Sequence, residues 1–131
     1  MNLAAPITIL VVEDDEPIRQ ILSDILEING FSVLQASDGE AGLKAAAQAR
    51  PNLILTDIGM PGLDGFEMIK RLRADPVLRH TRVIVISALA ERNQIRRGME
   101  VGADDYIPKP FTEDEVIKAI QAQLAKQGAS L

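Results

Sequence analysis

Five times along this chain a short aliphatic run gives way to a segment with helical spacing, and this alternation constrains the fold more than any single residue does. The runs lie at residues 7–12, 31–34, 53–56 and 83–86, with a weaker fifth at 105–107. After the first of them, Ile18, Ile21, Leu22, Ile25 and Leu26 recur at i, i+3, i+4, i+7 and i+8, the apolar stripe of an amphipathic helix. A parallel strand pair needs a long crossover, and here every crossover is helical, so the pattern predicts βαβ units and a parallel sheet. Near-continuous aliphatic runs agree, because strands covered on both faces have little polar side to show. The expected fold class is α/β, a three-layer α/β/α sandwich on a five-stranded parallel sheet.

Local signals set the expected boundaries. Gly30 after Asn29 stops the first helix, and Ser37 with Glu40 reads as a capping box for an Ala-rich helix ending before Pro51. Asp64 with Glu67 opens a third helix through Phe66, Ile69 and Leu72, which Asp75-Pro76 closes. Residues 92–100 read as a fourth helix stopped at Gly102. Thr112 with Glu115 caps the last, whose stripe is Val116, Ile117, Ile120 and Leu124. Residues 1–131 are expected to form a single domain, with 125–131 a frayed tail.

Composition narrows the function classes. Apolar residues at 47% and charged residues at 25% describe a globular chain, and aromatics at 3% leave an aliphatic core. A net charge of −5 argues against direct binding to a phosphate backbone, so no direct nucleic-acid partner is expected and any DNA contact would need another chain. Cysteine is absent, which excludes disulfides and thiolate metal sites. No run approaches the roughly 20 apolar residues a bilayer crossing needs, and the N-terminus lacks a basic, apolar leader. A cytoplasmic protein without membrane contact is expected.

The polar residues that follow the apolar runs carry the chemistry. Glu13, Asp14 and Asp15 follow the first run, Asp57 the third, Ser87 the fourth and Lys109 the fifth. In an open α/β sheet the ligand crevice lies outside the carboxyl ends of the strands, so these groups belong to one edge. Clustered carboxylates repel one another unless a cation neutralises them. Mg²⁺ suits such a site, as a hard ion held by one or two carboxylates and waters. A carboxylate beside that ion is a candidate phosphoryl acceptor, here Asp57. The Ser87 hydroxyl could donate to a phosphoryl oxygen, and the Lys109 ammonium could neutralise another. His80, before the fourth run, belongs to the opposite sheet edge. Arg92, Arg96 and Arg97 read as a solvated helix face.

With these residues in register, the chain resembles the receiver domain of two-component response regulators, of the chemotaxis-regulator type. The resemblance rests on residues 10–15 (Leu-Val-Val-Glu-Asp-Asp), 57–61 (Asp-Ile-Gly-Met-Pro), Asp64-Gly65, Ser87-Ala88, residues 102–106 (Gly-Ala-Asp-Asp-Tyr) and 109–111 (Lys-Pro-Phe). It implies a flavodoxin-like fold with strand order 2-1-3-4-5, and a phosphorylatable signalling switch that is not itself an enzyme. Asp57 would take its phosphoryl group from a sensor histidine kinase or a histidine phosphotransfer protein. Mg²⁺ would be held by Asp14, Asp57 and the Gly59 backbone carbonyl, with Glu13 acting through a metal-bound water. Ser87 would be the switch hydroxyl, Lys109 the phosphate-binding lysine, Tyr106 the ring that reorients, and Lys109-Pro110 a cis peptide.

The resemblance also implies a downstream protein target on the fourth helix, fifth strand and fifth helix, with Arg92, Arg96, Tyr106 and Lys118 as candidate contacts. Two departures bear on phosphoryl lifetime, since Gly59 and Leu89 stand where a polar side chain could position a hydrolytic water. Two other readings stay open. One is a Mg²⁺-dependent phosphohydrolase with Asp57 as nucleophile, which lacks a second acid two residues on and a cap domain. The other is a degenerate receiver used only for docking, which usually lacks one of the acids or the lysine retained here.

Overall fold

The structure, a computed structural model, describes residues 6–88 and 92–129. Five parallel strands, β1 (Thr8–Val12), β2 (Ser32–Ala36), β3 (Leu53–Asp57), β4 (Arg82–Ala88) and β5 (Asp105–Lys109), form one sheet in the order β2-β1-β3-β4-β5. Between and after them run α1 (Glu16–Ile28), α2 (Gly39–Ala49), α3 (Gly65–Ala74), α4 (Arg92–Val101) and α5 (Glu113–Ala129). The strand order progresses in opposite directions on either side of β1 and β3, with β2 added beyond β1 and β4 beyond β3, which opens a crevice at their carboxyl ends.

Strand alternation divides the core in two. On β1, Leu10 and Val12 face one apolar cluster with Ala46 of α2 and Phe66, Met68, Ile69 and Leu72 of α3. Ile9 and Val11 face the other, with Leu22 and Leu26 of α1 and Val116 and Ile120 of α5. All four β1 residues are fully buried, each contributing about 1.5–3 kcal/mol of apolar transfer. That is why β1, apolar on both faces, sits inside the sheet and carries its first polar residues to the crevice.

The expected helix signals hold at most positions. Asp64 Oδ1 accepts from the Glu67 N–H at 2.9 Å, and Thr112 and Glu115 exchange reciprocal bonds of 3.1 Å. Gly30 and Gly102, which stop α1 and α4, have φ of +91° and +120°, open to glycine at little cost. The second cap differs: Asp38, not Ser37, is the N-cap of α2, its Oδ1 accepting from the Ala41 N–H at 2.8 Å. An aspartate caps as well as a serine and its charge meets the helix dipole. The frayed tail expected from residue 125 is helical as far as Ala129, because Ala125, Lys126 and Gln127 are good helix formers. The fourth-helix face is not wholly solvated either, since the Arg97 guanidinium lies 4.5 Å from the centroid of the Phe66 ring. Leu89 and the side chain of Arg92 lie outside the described residues.

At the edge away from the crevice, Asp104 ties three segments together. Its Oδ2 accepts from the Val83 N–H at 2.8 Å and from Arg73 at 3.0 Å, and its Oδ1 from Arg82 at 3.3 Å. Arg73 also donates to the carbonyls of Gly102, Arg79 and Thr81. No described helix is long and apolar enough to cross a membrane.

Candidate functional site

The crevice at the carboxyl ends of β1 and β3 gathers carboxylates from two strands and an amine from a third. Glu13 directly follows β1 and is 1% exposed, while the next residue, Asp14, is exposed. Asp57 closes β3 with its side chain 12% exposed. One carboxylate oxygen from each of Glu13, Asp14 and Asp57 lies within 4.8 Å of the other two. Lys109, the last residue of β5, reaches across the crevice to donate to Glu13 Oε1 at 2.8 Å and to Asp57 Oδ2 at 3.2 Å.

Backbone and side chains fix these groups in place. The Ile58 N–H donates to Asp57 Oδ1 at 2.7 Å, so each oxygen of that carboxylate has a partner. The Asp15 N–H donates to Glu13 Oε2 at 3.2 Å, and Asp15 itself is the N-cap of α1, accepting from the Ile18 N–H. The third acid of the cluster is therefore spent on the helix. Gly65 opens α3 directly beneath Asp57, where an added Cβ would collide with the Asp57 carbonyl oxygen and stand 2.9 Å from Ile58 Cα. Arg19 holds the loop from the other side, donating from Nη1 to the Glu13 carbonyl at 2.8 Å and from Nε to Gln35 Oε1 at 3.1 Å.

Electrostatics in the crevice follow from that burial. Desolvation pushes the Glu13 carboxyl up to about 7, against the opposing pull of the Lys109 hydrogen bond and with some help from the Asp57 charge. For Lys109, burial alone would lower the ammonium's pKa. The Glu13 hydrogen bond and the Asp57 charge outweigh it and hold the amine protonated above its ordinary value. The lysine is thus the internal counter-ion of an acidic pocket.

The donor set suits a hard divalent cation. Oxygens bound to one Mg²⁺ lie about 3 Å apart when adjacent and about 4 Å when opposite. Three carboxylate oxygens that all lie within 4.8 Å of one another are near enough for a shared cation.

Four of the expected residues, Glu13, Asp14, Asp57 and Lys109, meet in this crevice. Gly59 stands two residues beyond β3 at the same edge. Ser87, fully buried on β4, is one residue past Ile86, the register partner of Asp57. Tyr106 is 44% exposed on β5, opposite Val85. The Lys109-Pro110 peptide is cis. Arg19 and Gly65 escaped the sequence reading. Arg19 follows the acidic cluster by one helical turn, and Gly65 falls in the Asp64-Gly65 pair, but neither spacing says what the residue touches.

Comparison with known proteins identifies the family. The sequence model of the response regulator receiver domain matches residues 9–121. The chain is 39% identical over 118 residues to the phosphate regulon transcriptional regulatory protein PhoB of Escherichia coli, covering 90% of this chain and 52% of that protein. It is 37% identical over 118 residues to the DNA-binding dual master transcriptional regulator RpaA of Synechocystis, covering 90% of this chain and 49% of that one. Among solved structures, the chemotaxis response regulator CheY4 of Vibrio cholerae superposes with a TM-score of 0.85 at 30% identity, over 91% of this chain and 99% of its own. The flavodoxin-like order 2-1-3-4-5 is accordingly that of the receiver fold. Receiver domains are generally signalling switches and not enzymes.

One expectation is corrected. A partner set of kinase and protein target, with no nucleic acid, does not fit relatives named as transcriptional regulators, one of them DNA-binding. The chain spans about half the length of the curated relatives it matches. Its charge of −5 therefore describes only the segment they share, and says nothing of DNA contacts made elsewhere in such proteins.

Proposed function

We propose a residue-level mechanism for this chain, which belongs to the response regulator receiver domain family and is a phosphorylatable switch of two-component signalling. Asp57 is the phosphoryl acceptor. A carboxylate oxygen of Asp57 attacks the phosphorus of a phosphohistidine on a sensor kinase or phosphotransfer protein. The P–O bond forms as the P–N bond breaks, and the departing imidazole nitrogen takes up a proton. The observation that carries this assignment is the pair of contacts that orient Asp57, one from the Ile58 N–H and one from Lys109, at the rim of the three-carboxylate cluster.

Asp14, Asp57 and the Gly59 carbonyl would hold Mg²⁺, and Glu13 would contribute to the same site through water. When bound, the ion neutralises charge that builds on the phosphoryl oxygens. Lys109 moves its hydrogen bond from the carboxylates to a phosphoryl oxygen. Ser87 donates to another, and Tyr106 reorients as the Ser87 end of β4 is drawn in. The donor domain meets an apolar surface of Ile18, Ile21, Pro110 and Phe111 beside Lys109. Site 59 is glycine, so no second acid follows Asp57 at the spacing a phosphohydrolase would use, which supports a switch without a small-molecule substrate. The names of PhoB and RpaA support a transcriptional output, and a cytoplasmic site where kinase and DNA are both accessible.

The test is intact-mass analysis after incubation with acetyl phosphate and Mg²⁺. The wild-type chain should gain one phosphoryl group and Asp57→Asn none. Labelling of Asp57→Asn at wild-type yield would remove Asp57 from its role.

A further inference from the structure

A second polar cleft, of about 320 Å³, lies at the sheet edge opposite the phosphoryl site and is lined by Arg73, Arg79, His80, Arg82, Asp104 and Gln127. Three guanidinium groups against one carboxylate leave a formal charge of +2 in a chain whose net charge is −5. Part of that charge has a structural use. Arg73 sits in the last turn of α3, and with Arg82 it is bound to Asp104 and to the carbonyls of neighbouring segments.

The rest has none. The guanidinium of Arg79 and the imidazole of His80 have no hydrogen-bond or ion-pair partner among the described residues, and both side chains are exposed. The Nε of Arg82 is shut off from solvent and donates to no protein acceptor. A ligand in the cleft does not reach an atom closed to solvent, so the groups it meets first are the exposed Arg79 and His80 side chains. Guanidinium groups fixed by Asp104 are also pre-oriented, which lowers the entropy lost when they close on a ligand.

We propose that the cleft formed by Arg73, Arg79, His80, Arg82 and Gln127 binds the phosphate group of a small phosphorylated metabolite. A phosphomonoester carries about −1.5 to −2 charges near neutral pH, which balances the formal +2, and its oxygens match the fork of a guanidinium. A monocarboxylate would leave one positive charge unbalanced. The volume is at the lower end of the range for small-molecule sites, which suits a phosphate with a compact organic body. Arg82 is the first residue of β4, whereas Ser87 of that strand and Asp57 of the neighbouring β3 stand at the carboxyl end, so the ligand and the phosphorylated Asp57 occupy opposite edges of the sheet. The two can be bound together.

Amide ¹H–¹⁵N spectra of the full chain, without Mg²⁺ and at constant ionic strength, provide the test, with inorganic phosphate, adenosine monophosphate and acetate as probes. Shifts should saturate for the two phosphates, cluster at residues 73, 79–83, 104 and 127, and stay absent for acetate. Arg79→Glu removes a side chain with no protein partner, so the fold should persist while affinity falls about tenfold or more. His80→Ala should weaken binding less. The proposal is overturned if the shifts fall on residues 13, 14, 57 and 109 instead, if acetate reproduces them, or if Arg79→Glu binds as the wild type does. Labelling of Asp57 by acetyl phosphate in Arg79→Glu reports separately on the phosphoryl site and should be unchanged.

Discussion

Lys109 lies closer to Glu13 than to Asp57: its Nζ is 2.8 Å from Glu13 Oε1 and 3.2 Å from Asp57 Oδ2, although Glu13 is 96 residues away in sequence. The resting site is therefore held by an ion pair between the last residue of β5 and the first residue after β1. Glu13 is the more buried of the two carboxylates and has the greater need of a counter-ion. Any cation that enters the cluster competes with the lysine for the same oxygens.

That competition predicts the behaviour of Lys109→Met. Mg²⁺ should bind several-fold more tightly, because a positive charge within a few ångströms is gone. Labelling of Asp57 by acetyl phosphate should fall, because the phosphoryl oxygens lose their amine. Unfolding in urea without metal should show a loss of about 1–3 kcal/mol at pH 8, the cost of leaving a buried carboxylate unpaired. At pH 5 the loss should shrink, since Glu13 escapes by taking a proton. Unchanged Mg²⁺ affinity would mean that the lysine does not compete.

The pH dependence of the metal-free protein follows from Glu13. Its folded pKa is raised from 4.5 to about 7, so between those values the folded state binds more protons than the unfolded one. Stability from this group is then full below about pH 4.5, falls as the pH rises, and has been lost above about pH 7. Lys109, also raised, contributes stability that persists below its ordinary value and is lost only in strong alkali. Thermal unfolding in EDTA should give a Tm that declines from pH 5 to pH 7.5, by about 4 °C for each kcal/mol. Glu13→Gln should flatten the decline, and an equal slope in that variant would assign it to other groups.

Gly65 tests how closely the α3 N-terminus must approach Asp57. A methyl group there would collide with the Asp57 carbonyl oxygen and crowd Ile58 Cα at 2.9 Å, and both are backbone atoms that cannot swing aside. Gly65→Ala should cost about 1–3 kcal/mol, the range for overpacking, and lower both Tm and the yield of acyl phosphate. Gly62→Ala, in open space but at φ +76°, separates backbone strain from collision and should leave labelling nearer to wild type. Equal labelling of all three proteins would show that the approach is not needed.

How much of this could be read in advance depends on the range of the interaction. Strand positions were legible because Ile9, Leu10, Val11 and Val12 need cover on both faces, and no other element provides it. The carboxyl-edge placement of Glu13, Asp57 and Lys109 followed from that, whereas the strand order came through the family resemblance. Asp38 outcompeted Ser37 as a cap because adjacent residues can both do the job and only backbone geometry chooses. The Arg73–Asp104–Arg82 network joins positions 22 and 31 residues apart, and no local spacing encodes it. Partners were misjudged because charge was counted on a segment about half as long as the relatives.

Arg19 offers the last prediction, since it touches no expected ligand atom yet grips the segment that carries two of them. Its Nη1 donates to the Glu13 carbonyl at 2.8 Å, and its Nε to Gln35 on β2 at 3.1 Å. The guanidinium therefore pins the start of the β1–α1 loop against the neighbouring strand. Truncation leaves Glu13, Asp14 and Asp57 chemically intact but frees the loop, so Mg²⁺ must pay the ordering cost on binding. Arg19→Ala should weaken Mg²⁺ about three- to tenfold, as losses outside the coordination shell do, and reduce stability by about 1 kcal/mol. Calorimetric titration of Mg²⁺ into wild type, Arg19→Ala and Gln35→Ala measures it, with Gln35→Ala expected between the two because it removes only one of the contacts. If Arg19→Ala bound Mg²⁺ as tightly as wild type while losing the same stability, the arginine would be part of the fold and not a positioning residue of the site.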